Sequence, residues 1–300
     1  MLTECIEGLD IKKGGIYVDG TLGGAGHSRE IAKSLNSSGK LIGIDRDTDA
    51  LNTAKNVLKD YGNVIYVHNN HDNIKEVLRN LNIPKVDGIL LDLGVSSYQL
   101  DEATRGFSYM SENRLDMRMD NTQELSAYEV INEYPEEKLA NVIYEYGEER
   151  MSRQIARKIC ECRKEKPIET TIELVDIIKK VVPFNKKQGH PAKRTFQAIR
   201  IEVNDELKPL YNTMIDCIDC LNEGGRLCVI TFHSLEDRIV KNAFNDSIGK
   251  CTCPPGIPQC VCEQNKKGTI ISKKPIIANT EELENNTRSA SAKLRIFQKE

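Results

Sequence analysis

No stretch of the 300 residues approaches the roughly 20 apolar residues that a bilayer-spanning helix needs, and the start lacks the basic-then-apolar layout of an export signal. A cytoplasmic protein without a membrane partner is expected. Net charge is scarce too: 42 Lys and Arg against 45 Asp and Glu leave −3, so any nucleic-acid contact must be a local basic patch. Six of the ten cysteines are scattered singly or as loose pairs in a chain too large to need disulfide staples, and reduced thiols are expected. The exception is Cys251-Thr-Cys253 with Cys260-Val-Cys262. Four thiols in two C-x-C pairs can bind Zn²⁺ tetrahedrally, although C-x₂-C is the commoner structural spacing.

What the chain does have is a short apolar strand, Ile16 to Val18, running into Asp19-Gly-Thr-Leu-Gly-Gly-Ala-Gly-His27-Ser28, with four glycines within seven positions. Glycine allows positive φ and lets the backbone approach a ligand closely. Ser28 is expected to open a helix whose first amides face whatever the loop holds. A dinucleotide fingerprint requires G-x-G-x-x-G, and Gly24-Ala-Gly26-His-Ser-Arg29 lacks the third glycine. Asp19 would oppose a pyrophosphate but suit a cationic ligand. S-adenosylmethionine, a sulfonium and an ammonium without phosphate, fits both conditions; a plain tight turn packed on a sheet would carry the same glycines.

Three more strands follow. Gly39 to Asp45 ends in a carboxylate about where α/β nucleotide sites place the acid that grips ribose hydroxyls. Its alternative role is a helix cap, for which Asp47 or Thr48 is better placed. Asn63 to Val67 leads to His68-Asn-Asn-His71, and His71 is a candidate neighbour for an adenine ring, or simply a solvated loop histidine. Val86 to Asp92 is apolar enough to be buried on both faces and delivers Asp92 and Gln99 to the same rim. The alternation of strands and helices predicts an α/β fold with a doubly wound, parallel, Rossmann-like sheet.

From about Asp101 the pattern turns helical, with apolar stripes through Leu139, Val142, Ile143 and Tyr146, then Met151, Ile155 and Ile159, then 171–182. The expected organisation is a core in two parts, 1–104 and 205–300, the second carrying the cysteine-rich loop 251–262, around an all-helical insertion at 105–204. Phe184 to Arg200 holds five Lys or Arg and no acid, with two phenylalanines between them, a composition that suits phosphate neutralisation and base stacking as well as a solvated face. Lys193, Arg194 and Arg200 are the RNA-contact candidates. A further strand, Arg226 to Phe232, ends at His233, with Ser234 the expected helix cap and Asp237 three residues on. Strands over 268–277 and 292–297 are expected to complete the sheet.

Read together, Asp19 to His27, Leu90 to Ser97, Arg114-Leu-Asp-Met-Arg-Met-Asp120, Tyr146-Gly-Glu-Glu-Arg150, His190 to Arg200 and His233-Ser-Leu-Glu-Asp-Arg238 resemble the bacterial MraW/RsmH family over nearly the whole chain. The resemblance implies a ribosomal RNA cytosine-N4 methyltransferase: an S-adenosylmethionine-dependent core with an inserted substrate domain, acting in the decoding region of small-subunit RNA, naked or in the assembled subunit. It places Gly24, Ala25, Gly26, His27, Asp45, His71, Asp92 and Gln99 in the cofactor site. Relatives usually begin with a few more residues, including a His and a short apolar stretch, so this start is expected to be short or misassigned. Assembly as a homodimer is left open.

The chemistry narrows the reaction. An exocyclic amine needs acceptors for its N–H groups, so that the nitrogen can pyramidalise in line with the methyl donor. Asp92, Ser96 and Ser97 are the nearest candidates, and His233 is a second site for proton acceptance or base stacking, or else a packed structural histidine. Carbon-5 methylation would need a cysteine nucleophile, and the Asp92 loop has none. It also lacks the Pro-Pro-aromatic run of many amine methyltransferases. Two rivals are a nicotinamide-dependent dehydrogenase, disfavoured by the glycine spacing, and a non-enzymatic RNA-binding assembly factor built on a zinc knuckle.

Overall fold

The computed structural model describes residues 1–96, 99, 105–184, 189–249 and 266–300. They form two units, one of residues 1–94 and 207–300 and the other of residues 95–206. The chain leaves the first unit at 94 rather than 104 because Val95 already packs on the helical core.

The first unit is an eight-stranded sheet: β1 (Ile16–Asp19), β2 (Lys40–Asp45), β3 (Val64–His68), β4 (Val86–Asp92), β5 (Leu221–Thr231), β6 (Gly268–Ile270), β7 (Ile276–Ile277) and β8 (Lys293–Lys299). The order is β3-β2-β1-β4-β5-β8-β6, with β7 also on β8; β1 to β5 run parallel and β8 inserts antiparallel to β5. Strand order reverses between β1 and β4, the place where open α/β sheets receive ligands.

Period-two alternation sends side chains into two cores. Val18, Ile42, Ile44, Ile89, Leu91 and Val229 enter one, against helices Ile74–Asn80, Leu210–Cys220 and Ser234–Ser247. Tyr17, Leu41, Leu90, Cys228 and Ile230 enter the other, against helices Leu2–Leu9, Gly26–Ser34 and Thr48–Val57. Both faces are covered, which is why β4 reads as a continuous apolar run. Two expectations change. Strand β5 begins at Leu221 rather than Arg226, with a register shift opposite Val86 and Gly88 and Gly224 at φ +75°. The strand expected over 268–277 is two short ones, both on β8.

The second unit contains helices Ala127–Glu133, Glu136–Gly147, Ser152–Cys162, Thr171–Lys179 and Lys193–Asn204. Their stripes meet in a core that includes Ile131, Leu139, Ile143, Ile155, Ile159, Leu174, Ile178, Phe196 and Ile199. Reciprocal capping boxes, Ser126 with Glu129 and Thr170 with Glu173, start two of them. A side chain on Gly147 would place its Cβ 2.7 Å from the Arg194 carbonyl oxygen, so glycine permits helices Glu136–Gly147 and Lys193–Asn204 to cross closely. Gln197 Nε2 donates to the Tyr146 carbonyl at 2.9 Å and Arg194 to the Glu148 carbonyl at 3.1 Å. The motifs at 146–150 and 190–200 are therefore two sides of one contact. No helix among the described residues is long and apolar enough to cross a membrane.

Candidate active site

Parallel strands β2, β1 and β4 end side by side in Asp45, Asp19 and Asp92. The glycine turn ties these ends together. Gly23 N–H donates to Asp45 Oδ2 at 2.8 Å, and Thr21 Oγ1 accepts the Asp92 N–H at 2.6 Å. Asp19, 1% exposed, takes the Ser28 hydroxyl at 2.7 Å and the Thr21 N–H at 3.2 Å. Asp19 therefore holds the turn and does not face a ligand. Ser28 is bound to it instead of capping the helix, which starts at Gly26 from Ala25 with φ +59°. Of the four glycines only Gly23 has positive φ, at 47°; the other left-handed position belongs to a buried alanine, a strained choice that sequence reading passes over. No atom lies within 4 Å of a Cβ built on Gly24 or Gly26, so the turn presents an open backbone.

Asp45 Oδ1 also accepts the Asp47 N–H at 2.9 Å, while Asp47 caps the next helix through Asp49 N–H at 3.0 Å. Burial raises the Asp45 pKa and these N–H donors pull it back. Each of its oxygens has one further lone pair to offer. His71 opens a short 3₁₀ turn, and its Cβ lies 3.2 Å from where a Cβ on Gly20 would sit, which places the imidazole beside the end of β1. Burial, helped by the Arg46 charge, holds His71 neutral, its pKa lowered to about 3. Next to it, Asn70 Oδ1 is buried without a hydrogen-bond partner among the described residues, a candidate that the sequence alone did not single out.

At the end of β4, His27 Nδ1 stands 3.6 Å from Asp92 Oδ2. His27 Nε2 and Asp92 Oδ1 are both shut off from solvent with no hydrogen-bond partner among the described residues. Burial pushes the Asp92 pKa up to about 6, against the pull of His27, and burial also lowers that of His27. Gln99, 5% exposed, belongs to the helical unit, where its Oε1 accepts the Ser96 N–H at 3.0 Å and its N–H donates to Ser96 Oγ at 3.1 Å.

His233 caps the helix Ser234–Ser247. It shares a capping box with Glu236, whose N–H points to His233 Nδ1, and its Nε2 lies 3.0 Å from Glu236 Oε1. The cap is thus His233 and not Ser234, while Asp237 pairs with Arg295 at 2.7 Å and Lys293 at 3.1 Å. In the helical unit Arg200 is held by Glu206 through two bonds of 2.9 Å, leaving Lys193 exposed and Arg194 partly so. Phe196 is core, edge-on to Tyr109, whereas Phe184 is 73% exposed. Ser97 and the four cysteines Cys251, Cys253, Cys260 and Cys262 lie outside the described residues.

A model of the MraW methylase family matches residues 1–300. The chain belongs to that family. A member from Clostridium botulinum (strain Kyoto / Type A2), named Ribosomal RNA small subunit methyltransferase H, is 59% identical over 300 residues, covering 100% of this chain and 97% of that protein. The protein of the same name from Clostridioides difficile (strain 630) is 54% identical over 302 residues with the same coverage. Among solved structures, an rRNA methylase from Streptococcus thermophilus aligns with a TM-score of 0.41 and 11% identity over 99% of this chain and 93% of that one, too distant to bear on function.

Proposed function

We propose that this chain transfers a methyl group from S-adenosylmethionine to the N4 exocyclic amine of a cytidine in the decoding region of small-subunit ribosomal RNA. The observation that carries the reading is Asp92: a carboxylate at the end of a central strand, one oxygen buried and unbonded among the described residues, in a chain matched from end to end by a methylase family. A buried acceptor without a donor is destabilising unless a ligand supplies one. The N–H of an amine does.

The same rim fits the cofactor by its chemistry. Open backbone at Gly24 and Gly26, carboxylates in place of phosphate-binding groups, and a neutral imidazole at His71 suit a cationic, phosphate-free nucleoside. Gly24, Ala25, Gly26 and His27 would line it, Asp45 would take the ribose hydroxyls and His71 the adenine, with Gln99 added by resemblance to the family. S-adenosylmethionine supplies an electrophilic methyl group when bound. The chain's own part is at Asp92 Oδ1: accepting one amine N–H draws the nitrogen lone pair out of conjugation with the ring, and taking that proton completes the product. Lys193 and Arg194 would neutralise phosphates of the RNA, and the names of the relatives support a small-subunit substrate.

The test is nucleoside mass spectrometry on unmethylated small subunits, and on naked small-subunit RNA, incubated with the protein and S-adenosylmethionine. N4-methylcytidine is the expected product. A different methylated nucleoside would move the assignment to another acceptor, and none at all, with the cofactor still bound, would reopen the substrate.

A further inference from the structure

We propose that His27 is a positioning residue for Asp92, and that the two side chains work as one proton-accepting pair. This deepens the methyltransferase reading and rests on it. The separation of 3.6 Å between His27 Nδ1 and Asp92 Oδ2 is longer than a hydrogen bond and within reach of a small side-chain rotation.

Both members are delivered by constrained backbone. Thr21 Oγ1 holds the Asp92 N–H, while Ala25 at φ +59° and the Ser28 hydroxyl on Asp19 set the turn from which His27 projects. Each contributes one buried atom with no hydrogen-bond partner among the described residues, His27 Nε2 and Asp92 Oδ1. An orphan on either side of a close acid–imidazole contact is the arrangement expected of a pair completed by its substrate.

The charge count states the role. With Asp92 ionised and His27 neutral the pair carries −1. The amine lone pair makes the new N–C bond, the C–S electrons stay on sulfur, and the nitrogen then gives up one proton while keeping the N–H electron pair. Asp92 Oδ1 receives that proton and the pair becomes neutral. Before transfer, the His27 Nδ1–H faces Asp92 Oδ2 and favours the ionised carboxylate; afterwards the proton leaves the partly exposed carboxyl group to water. Asp92 also faces Asp19 and Glu236, which raise its pKa, and the chain's amino group, which lowers it; His27 faces that amino group and Glu282. Of the side chains around Asp92, His27 does most to hold its pKa down, so its removal moves the carboxylate further up.

The experiment compares native protein, His27→Ala and His27→Gln in the pH dependence of kcat/KM for methylcytidine formation, with cofactor affinity measured by calorimetry. Native activity should rise through an acid limb near 6. The limb should move up by about one pH unit in His27→Ala and by less in His27→Gln, with kcat down about tenfold or more in His27→Ala; cofactor affinity is read separately because His27 also lines the cofactor site. His27→Gln keeps side-chain volume and a donor, so the measurement survives if the Ala variant does not fold. An unmoved limb, with the loss confined to cofactor affinity, would leave His27 a cofactor contact alone and overturn the proposal. A second readout needs no substrate: ¹⁵N resonances of the His27 ring in the free protein should show a step near 6 that disappears in Asp92→Asn. Absence of that step would also overturn the pairing. The step present without methylcytidine from the native protein would instead overturn the reaction assigned above.

Discussion

In the helical unit, three arginines, two of them in the family motifs, serve the unit's own architecture. Arg118 forks onto Asp116 with bonds of 2.9 and 2.7 Å, Arg163 donates to the carbonyls of Ile131 and Tyr134 at 2.6 Å each, and Arg200 clasps Glu206. In the α/β unit, the three rim carboxylates differ in how far they are satisfied. Asp19 and Asp45 each accept one bond on each oxygen, Asp19 shut away from solvent and Asp45 partly open to it, and Asp92 keeps a buried oxygen with no partner among the described residues. A charge whose bonds are complete within the fold holds shape, and one left incomplete at a strand end is held for something that arrives. The contrast separates residues that sequence motifs lump together.

Asp92→Asn should break the contrast most sharply. Turnover should fall by about 10²–10⁴-fold, because an amide cannot take the proton, and mass spectrometry of the product nucleoside measures it. The same change should stabilise the unliganded protein. A carboxyl whose pKa is about 6 when folded and 3.8 ordinarily binds its proton more tightly in the native state. It therefore destabilises the fold above pH 6, and this penalty fades as the pH falls from 6 towards 4. Thermal unfolding at pH 8 should show Asp92→Asn above native by a few degrees, on the order of 1–3 kcal/mol, with the difference gone near pH 4.

Arg200→Ala should do the reverse. Glu206, 6% exposed on its side chain, would lose both bonds, at about 3 kcal/mol of stability. Thermal melts register the loss, while cofactor affinity should stay the same; a normal melting temperature with lost RNA binding would return Arg200 to the RNA surface. Asp45→Ala should weaken cofactor binding at least tenfold, about 1.4 kcal/mol, and unchanged calorimetric affinity would end the ribose assignment. The smallest effect is at the exposed cations. Lys193→Ala with Arg194→Ala should reduce the salt slope of RNA binding by about 1.4, two contacts at about 0.7 each for single strands. An unaltered slope would mark that segment as a solvated face.

Much of this was legible along the chain. Strand β4 announced itself as an apolar run ending in Asp92 because a parallel strand covered on both faces has no room for alternation. The cap after β2 could be narrowed to Asp47 or Thr48, and the Asp49 amide on the Asp47 carboxylate decides for Asp47. The carboxylates of β2 and β4 and His71 could be assigned to one rim because parallel strands all deliver their C-terminal ends to the same edge. Cap choice at β5 was harder. Ser234 and His233 both precede an acidic residue at capping distance, and only the backbone of His233, extended at φ −141° and ψ 165°, decides between them.

What the sequence by itself determined is the order of elements, the two-core sheet, the helical insertion and the edge on which the polar groups gather. These depend on periodicity and on neighbours a few residues apart. Tertiary structure alone decided the allotment of those groups: Asp19 to Ser28, Arg200 to Glu206, Phe196 to the core, Thr21 to the Asp92 amide, and His27 set beside Asp92. The physical reason is that a side chain's bonding is completed by whatever the fold brings within about 3 Å. Thr21 and Asp92 are 71 residues apart along the chain and 2.6 Å apart in the molecule.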